Sequence, residues 1–277
     1  MITQTLARVF HVTATIAVVG LSIALAGTAA AEDTIEKMKH AGVMKVGVRF
    51  DAPPMGTVDN GGKPVGFSVD LGNMIAEKLG VKAEFVQATP KSRIQLLLNG
   101  NIDLQIDTLT PTRERNEVVD FTIPFAWDGG VLVVRKGDSL DVKSYGPPKK
   151  LAGLQGNYWV KVVQQTVPNA QFTMFQEFPD TFVALMNKKV DGVAINKVLA
   201  VAVVKQHPEL AMSKNFYEDP WAIAVRQNDS KWRNFLNFYL QELWCKSTYQ
   251  ALYSKWFGEE PKFHLWSEVR LQPGICD

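Results

Sequence analysis

The chain has 277 residues, with 30 Lys and Arg against 28 Asp and Glu, and a formal net charge of +2. This near-neutral balance gives no electrostatic reason to bind nucleic acid or an anionic membrane surface. No His/Cys/Asp cluster has metal spacing and no Ser/His/Asp set appears, so neither a metal nor a cofactor is expected.

Residues 1–31 contain one charged side chain, Arg8. A mostly apolar run from Val12 to Ala26 precedes Ala29-Ala30-Ala31 and then Glu32. That is the pattern of a secretory signal with an A-x-A cleavage site. A membrane anchor needs roughly 20 apolar residues, more than this run supplies. The chain is therefore expected to be exported, cut near Ala31 and soluble.

Ile35 to His40 reads as a short amphipathic helix, and Val43 to Phe50 as a first strand. Asp51 to Gly56 is a loop and Asn60-Gly61-Gly62 a tight turn. A helix enters through Gly66-Phe67-Ser68-Val69-Asp70 and ends at Gly80, and Val81 to Gln87 is the next strand. The stretch Pro90–Phe125 then gives a helix through Ile94, Leu97 and Leu98, stopped by Asn99-Gly100. A short strand from Ile102 to Ile106 and a polar loop follow, with Thr112 as the N-cap of a further helix. Strand, helix, strand, helix, strand is the order of a parallel sheet with helices on its faces. Ligands of such sheets bind at the strand ends, where Arg93, Asp107, Thr108, Thr110 and Arg115 converge.

Val131 to Arg135 is a further strand, and a polar stretch from Gly137 to Lys150 leads into a second α/β series. It comprises a strand from Leu151, a helix from about Asn157, a strand from Gln171 to Phe175 and a helix from Asp180 to Lys188 capped by Asp180-Thr181. A strand from Val190 to Ile195, a helix from Lys197 to Lys205 and a last strand from Trp221 to Arg226 complete it. Two aromatic-rich helices, about Ser230–Lys246 and Thr248–Phe257, read as core packing. The expected organisation is an α/β protein of two lobes, each a mainly parallel sheet flanked by helices. Lobe 1 spans 32–127 and 222–277, and lobe 2, inserted into it, spans 128–221. A cleft between lobes is a preferred small-molecule site. Cys245 and Cys276 form a disulfide in an oxidising compartment, or else remain two free thiols.

Several motifs, in order and spacing, resemble the family 3 extracellular solute-binding proteins, the periplasmic receptors of polar amino-acid ABC transporters. They are Gly66-Phe67-Ser68-Val69-Asp70-Leu71, Leu97 to Asp103, Thr110-Pro111-Thr112-Arg113-Glu114-Arg115 with Asp120-Phe121 and Pro124-Phe125, Leu154-Gln155-Gly156, and Lys255-Trp256-Phe257-Gly258. The resemblance implies a venus-flytrap fold in the periplasm, a free amino acid or similar small anion as ligand, and ABC permease subunits as partners. It also implies a monomer that is not an enzyme. Arg115 matches the arginine that grips the ligand α-carboxylate. Guanidinium chemistry suits that task, and the Thr108 and Thr110 hydroxyls and backbone N–H groups add to it. Without the motif, Arg115 reads as a surface arginine paired with Glu114 or Glu117.

Arg49 and Arg93 resemble the arginines of the glutamate/aspartate-binding branch, which hold a side-chain carboxylate. The chain departs from the family at Asn196, where an Asp that takes the ligand ammonium is expected. Asp107 stands where relatives carry a small residue. Either it holds the ammonium, or it pairs with Arg49 or Arg93 and the ligand is an amine-free dicarboxylate. Asn157 is positioned to donate to a carboxylate. Tyr158 and Trp159, bulkier than their counterparts, either narrow the cleft or pack. The same fold also resembles periplasmic dehydratases, for which Asp107 and Glu177 are the candidate proton carriers.

Overall fold

The computed structural model describes residues 33–263. The expected signal sequence and Cys276, and with it the proposed Cys245–Cys276 pairing, lie outside the described residues.

Strands β1 (Val43–Val48), β5 (Lys82–Gln87) and β6 (Leu104–Gln105) pair in parallel. Helices α1 (Thr34–Ala41), α2 (Phe67–Leu79) and α3 (Arg93–Leu98) accompany them. Strands β8 (Lys150–Leu154), β9 (Gln171–Phe175) and β10 (Gly192–Asn196) form a second parallel set. Its helices are α5 (Trp159–Thr166), α6 (Phe178–Met186) and α7 (Lys197–Gln206), numbered after α4 (Arg113–Asn116), the short helix capped by Thr112. Two long antiparallel strands, β7 (Val119–Arg135) and β12 (Tyr217–Arg226), join the sets, and β11 (Leu210–Met212) pairs with β7. The resulting order is β5-β1-β6-β12-β7-β10-β8-β9. This is the expected two-lobed α/β architecture, with β7 and β12 shared by both halves of the sheet.

Several boundaries differ from the sequence expectation. β7 begins at Val119, not Val131, and runs for 17 residues. Pro124 lies within it, and because proline has no N–H to give to a ladder the pairing with β12 shifts register around Ala222. The Ala222 N–H donates to Leu109 O at 3.1 Å, which ties β12 to the loop after β6. α6 starts at Phe178, two residues before Asp180, because Pro179 suits the first turn and Phe178 packs edge-on to Phe182 at 4.9 Å. The loop Asp51–Gly56 and the glycine turn after it contribute β2 (Asp51–Ala52), β3 (Gly56–Val58) and β4 (Pro64–Val65), a small antiparallel sheet.

The closing helices α8 (Ser230–Cys245) and α9 (Thr248–Phe257) bury Trp232, Leu236, Leu240 and Tyr249. Phe67 of α2 stacks on Phe125 and meets Tyr249 edge-on. The Trp232 indole N–H donates to Asp103 O at 3.1 Å, fastening α8 to the approach to β6. The aromatic spacing of these helices is thus packing, which holds the strand ends rigidly.

Asp128 on β7 lies opposite Asp219 on β12. Burial pushes its carboxyl up to about 7, although the Val198 N–H donates to it. The folded state therefore holds this proton where the unfolded chain, near 3.8, has released it. Stability falls as pH rises between those two values, and the loss is complete above the higher one. Asp128→Asn should melt above the native protein at about pH 8 and no higher than it at about pH 4. Equal melting temperatures at both would contradict this.

Candidate functional site

The C-terminal ends of the parallel strands face each other across the hinge strands. Arg49 follows β1, Asp107 follows β6 and Asn196 closes β10, and the structure shows how these side chains are used.

Arg49 leaves β1 and is buried. Its Nε and Nη2 donate to Asp51 Oδ1 and Oδ2, both at 2.8 Å, in a bidentate pair. The chain bends at Phe50 between them, after the end of β1 and at the start of β2. Burial works against the Arg49 charge, but the Asp51 hydrogen bond and the Asp107 and Glu177 charges outweigh it and hold its pKa above the ordinary value. Asp51 Oδ2 also accepts from the Phe178 N–H of α6 at 2.8 Å, so the pair spans from one strand set to the other.

Arg93 opens α3 and is also buried. Its Nη1 donates to Asp107 Oδ2 at 2.8 Å and to Thr108 O at 3.3 Å. Asp107 Oδ1 accepts from the Thr108 N–H at 2.6 Å and from its hydroxyl at 3.3 Å. Of the roles considered for Asp107, the one realised here is the partner of Arg93. Two donors of the arginine pairs, Arg49 Nη1 and Arg93 Nε, are buried without a hydrogen-bond partner.

Arg115 differs from the other two. It makes no ion pair among the described residues. Its Nη1 donates to Thr110 O at 2.7 Å and its Nη2 to Gly156 O at 3.0 Å, across the cleft. Glu114, the neighbour that a surface reading would pair with it, bonds Lys161 instead. Burial, then the Arg93 charge, pull the Arg115 guanidinium down to about 9. This is a cation whose charge no carboxylate in contact compensates.

Asn157 Oδ1 accepts from the Trp159 N–H at 3.0 Å and so steadies the start of α5. Asn196 Nδ2 donates to Asp219 Oδ2 at 2.8 Å. Trp159 packs in the core against Gly130, where an added Cβ would lie 2.3 Å from the indole. Tyr158 is half-buried and meets Tyr217 edge-on at 5.8 Å. Of the two bulky residues, Trp159 is packing and Tyr158 lines the polar cluster.

Sequence reasoning missed Asp219 and Asp51 as site residues. Asp219 is 1 % exposed and accepts from the Thr110 hydroxyl at 2.5 Å, from Asn196, and from the Trp221 indole N–H at 2.8 Å. Its signal is an acid just before a proline and the apolar run Trp221–Val225, where no solvent-facing role is expected. For Asp51, the signal is its position two residues beyond an arginine on a strand.

Gly156 sets how closely the two sides approach. Its φ is +79°, and a Cβ there would sit 2.3 Å from Pro90 O. Alanine at this position would hold the sides apart and displace the carbonyl that meets Arg115. Gly156→Ala should weaken ligand binding by about 1–3 kcal/mol, the usual cost of such backbone strain. It should also leave the ligand-saturated protein with a larger radius of gyration in X-ray scattering. Unchanged affinity and radius would contradict this.

Residues 44–259 match the family described as "Bacterial extracellular solute-binding proteins, family 3", and the chain belongs to that family. It is 27% identical over 236 residues to the ABC transporter glutamine-binding protein GlnH of Bacillus subtilis (strain 168), covering 83% of this chain and 86% of that one. It is 26% identical over 233 residues to the L-cystine-binding protein TcyJ of Escherichia coli (strain K12), covering 83% and 88%. Among solved structures, a mutant of ArgBP from T. maritima superposes with a TM-score of 0.76 at 34% identity, over 81% of this chain and 99% of that one. The ancestral amino acid-binding protein AncCDT-1, a precursor of cyclohexadienyl dehydratase, gives 0.77 at 27%, over 81% and 100%.

Proposed function

We propose that this chain is the extracytoplasmic receptor of an amino-acid ABC transporter, acting as a monomer that captures a free amino acid in its cleft and presents it to membrane permease subunits. The observation that carries this is Arg115. It is a half-buried guanidinium on α4, beside the strand ends, with backbone carbonyls as its hydrogen-bond partners, and a ligand α-carboxylate supplies the missing charge. Relatives named for glutamine, cystine and arginine binding support an amino acid as the solute. Catalysis is not part of this reading. Asp107, one candidate proton carrier, is held by Arg93 and Thr108, and the named curated relatives are binding proteins.

The acidic-side-chain specificity expected from Arg49 and Arg93 has narrower support. Asp51 and Asp107 meet their charges, so the far end of the cleft carries no net positive excess from these two pairs. The unpartnered donors, Arg49 Nη1 and Arg93 Nε, favour a side chain ending in an acceptor. A carboxylate or an amide oxygen meets that requirement, which keeps glutamate and aspartate in the proposal and brings glutamine beside them. An amine-free dicarboxylate would need the cationic surplus that these aspartates remove.

Closure adds contacts from the second lobe. Arg115 to Gly156 and Asp51 to Phe178 are such contacts, and ligand favours closure only as far as it binds that form better. A thermal-shift panel of glutamate, aspartate, glutamine, arginine, cystine, succinate and malate tests the proposal. Stabilisation by an amino acid whose side chain ends in an acceptor is expected. Stabilisation only by succinate or malate would refute the amino-acid reading, and stabilisation chiefly by arginine would refute the side-chain reading.

A further inference from the structure

Arg115 is not the only uncompensated charge in the cleft. Asp51 and Asp107 each have an arginine within 2.8 Å. Asp219 has none: among the described residues it makes no ion pair. Its three partners, the Thr110 hydroxyl, the Asn196 amide and the Trp221 indole, are all neutral donors. Burial holds its carboxyl above the ordinary range against those three hydrogen bonds. A carboxylate has about four acceptor positions, so three donors leave room for one more.

Thr110 connects the two lone charges. Its carbonyl accepts from Arg115 and its hydroxyl donates to Asp219. The guanidinium and the carboxylate therefore stand on either side of one residue, close enough that each alters the other's proton affinity, yet not in contact. A molecule with a carboxylate and an ammonium on one carbon matches this arrangement, carboxylate toward Arg115 and ammonium toward Asp219. Compensating two partly desolvated charges at once is worth more than compensating either alone, because each is costly while unpaired.

Resting on the amino-acid reading above, we infer that Asp219, on the hinge strand β12, is the residue that binds the ligand α-ammonium, in place of an acid at position 196. Asn196 fits this assignment. Its Nδ2 lies 2.8 Å from Asp219 Oδ2, so a carboxylate at 196 would set two like charges in contact and force one to take up a proton. The amide instead donates to Asp219 and favours its charged form. Placing the ammonium site on a strand shared by both lobes also ties amine recognition to the hinge.

The test is calorimetry with matched pairs that differ only in the amino group: glutamine with glutaramate, and glutamate with glutarate. In the native protein the amino acid of the preferred pair should bind more tightly than its deaminated partner. Asp219→Asn should lower amino-acid affinity at least about 30-fold, the lower end for losing one side of a buried charge pair. It should leave the deaminated acid within a few-fold, so that the preference collapses. Equal losses for both, or for neither, would overturn the assignment while leaving the amino-acid reading intact. If the native protein binds no amino acid, that reading fails and takes this inference with it.

Trp221→Phe is a second variant that keeps the carboxylate but removes one donor. The charged or titratable groups that sense Asp219 are Arg115, Arg93, Asp128 and Tyr158. Without the indole, Asp219 should take up a proton at higher pH. The preference for the amino acid over its deaminated partner should then fade at higher pH than in the native protein. An unshifted pH profile of that preference would also overturn the assignment.

Discussion

Arg115→Ala should lower affinity for the amino-acid ligand by about 2–5 kcal/mol, the cost of truncating one side of a buried, hydrogen-bonded charge pair. The native guanidinium is held in place by two backbone carbonyls, Thr110 O and Gly156 O, and its charge awaits an anion. A ligand carboxylate would find it already oriented, which spares the ordering cost that a free side chain would pay. Folding should change little, since no carboxylate in contact loses a partner when Arg115 is removed. Arg115→Lys keeps the charge without the planar fork and should give an intermediate loss. Calorimetry on both variants, beside their melting curves, separates binding from stability. Native affinity in Arg115→Ala would remove the carboxylate site from this position.

Asp107→Ala should destabilise the fold by about 3–5 kcal/mol, because it strands Arg93 as a buried charge. Both side chains are almost fully buried, at 2 % and 1 % exposure, and they meet at 2.8 Å. Asp107 also accepts from the Thr108 N–H and hydroxyl, so its loss leaves a second buried donor in need of a partner. The double variant Arg93→Met with Asp107→Leu removes the ion pair and fills the volume. It should cost less than the single variant, as apolar replacement of a buried pair is often neutral. Urea unfolding of the three proteins reads this directly. A loss below about 1 kcal/mol for Asp107→Ala would place the pair in contact with water.

The fold was largely legible because its sequence punctuation is local. Thr112 caps α4 through its hydroxyl, and Gln171 to Phe175 is a strand to the residue. What local reading could not give was the length of β7. Its early part, Val119 to Gly130, carries a proline, two aspartates and two glycines, and only pairing with β12 makes it a strand. The cationic side of the site was legible too, since Arg49, Arg93 and Arg115 each stand at a strand end or helix start. The acids were not. Asp51 is local to Arg49, but its bond to Phe178 N joins residues 127 apart in sequence. Asp219 is 109 residues from Thr110 and enters the site only because β12 passes behind the loop after β6. Reading the arginines by position left out Asp51, whose pairing with Arg49 the sequence does not display.

A crystal structure with the amino acid that stabilises the protein best in the thermal-shift panel tests the central claim most directly. The account predicts the ligand α-carboxylate within hydrogen-bond distance of the Arg115 guanidinium, with the Arg93–Asp107 pair still formed. A ligand carboxylate seated on Arg49 or Arg93 in place of Asp51 or Asp107, with Arg115 still bonded only to carbonyls, would contradict it.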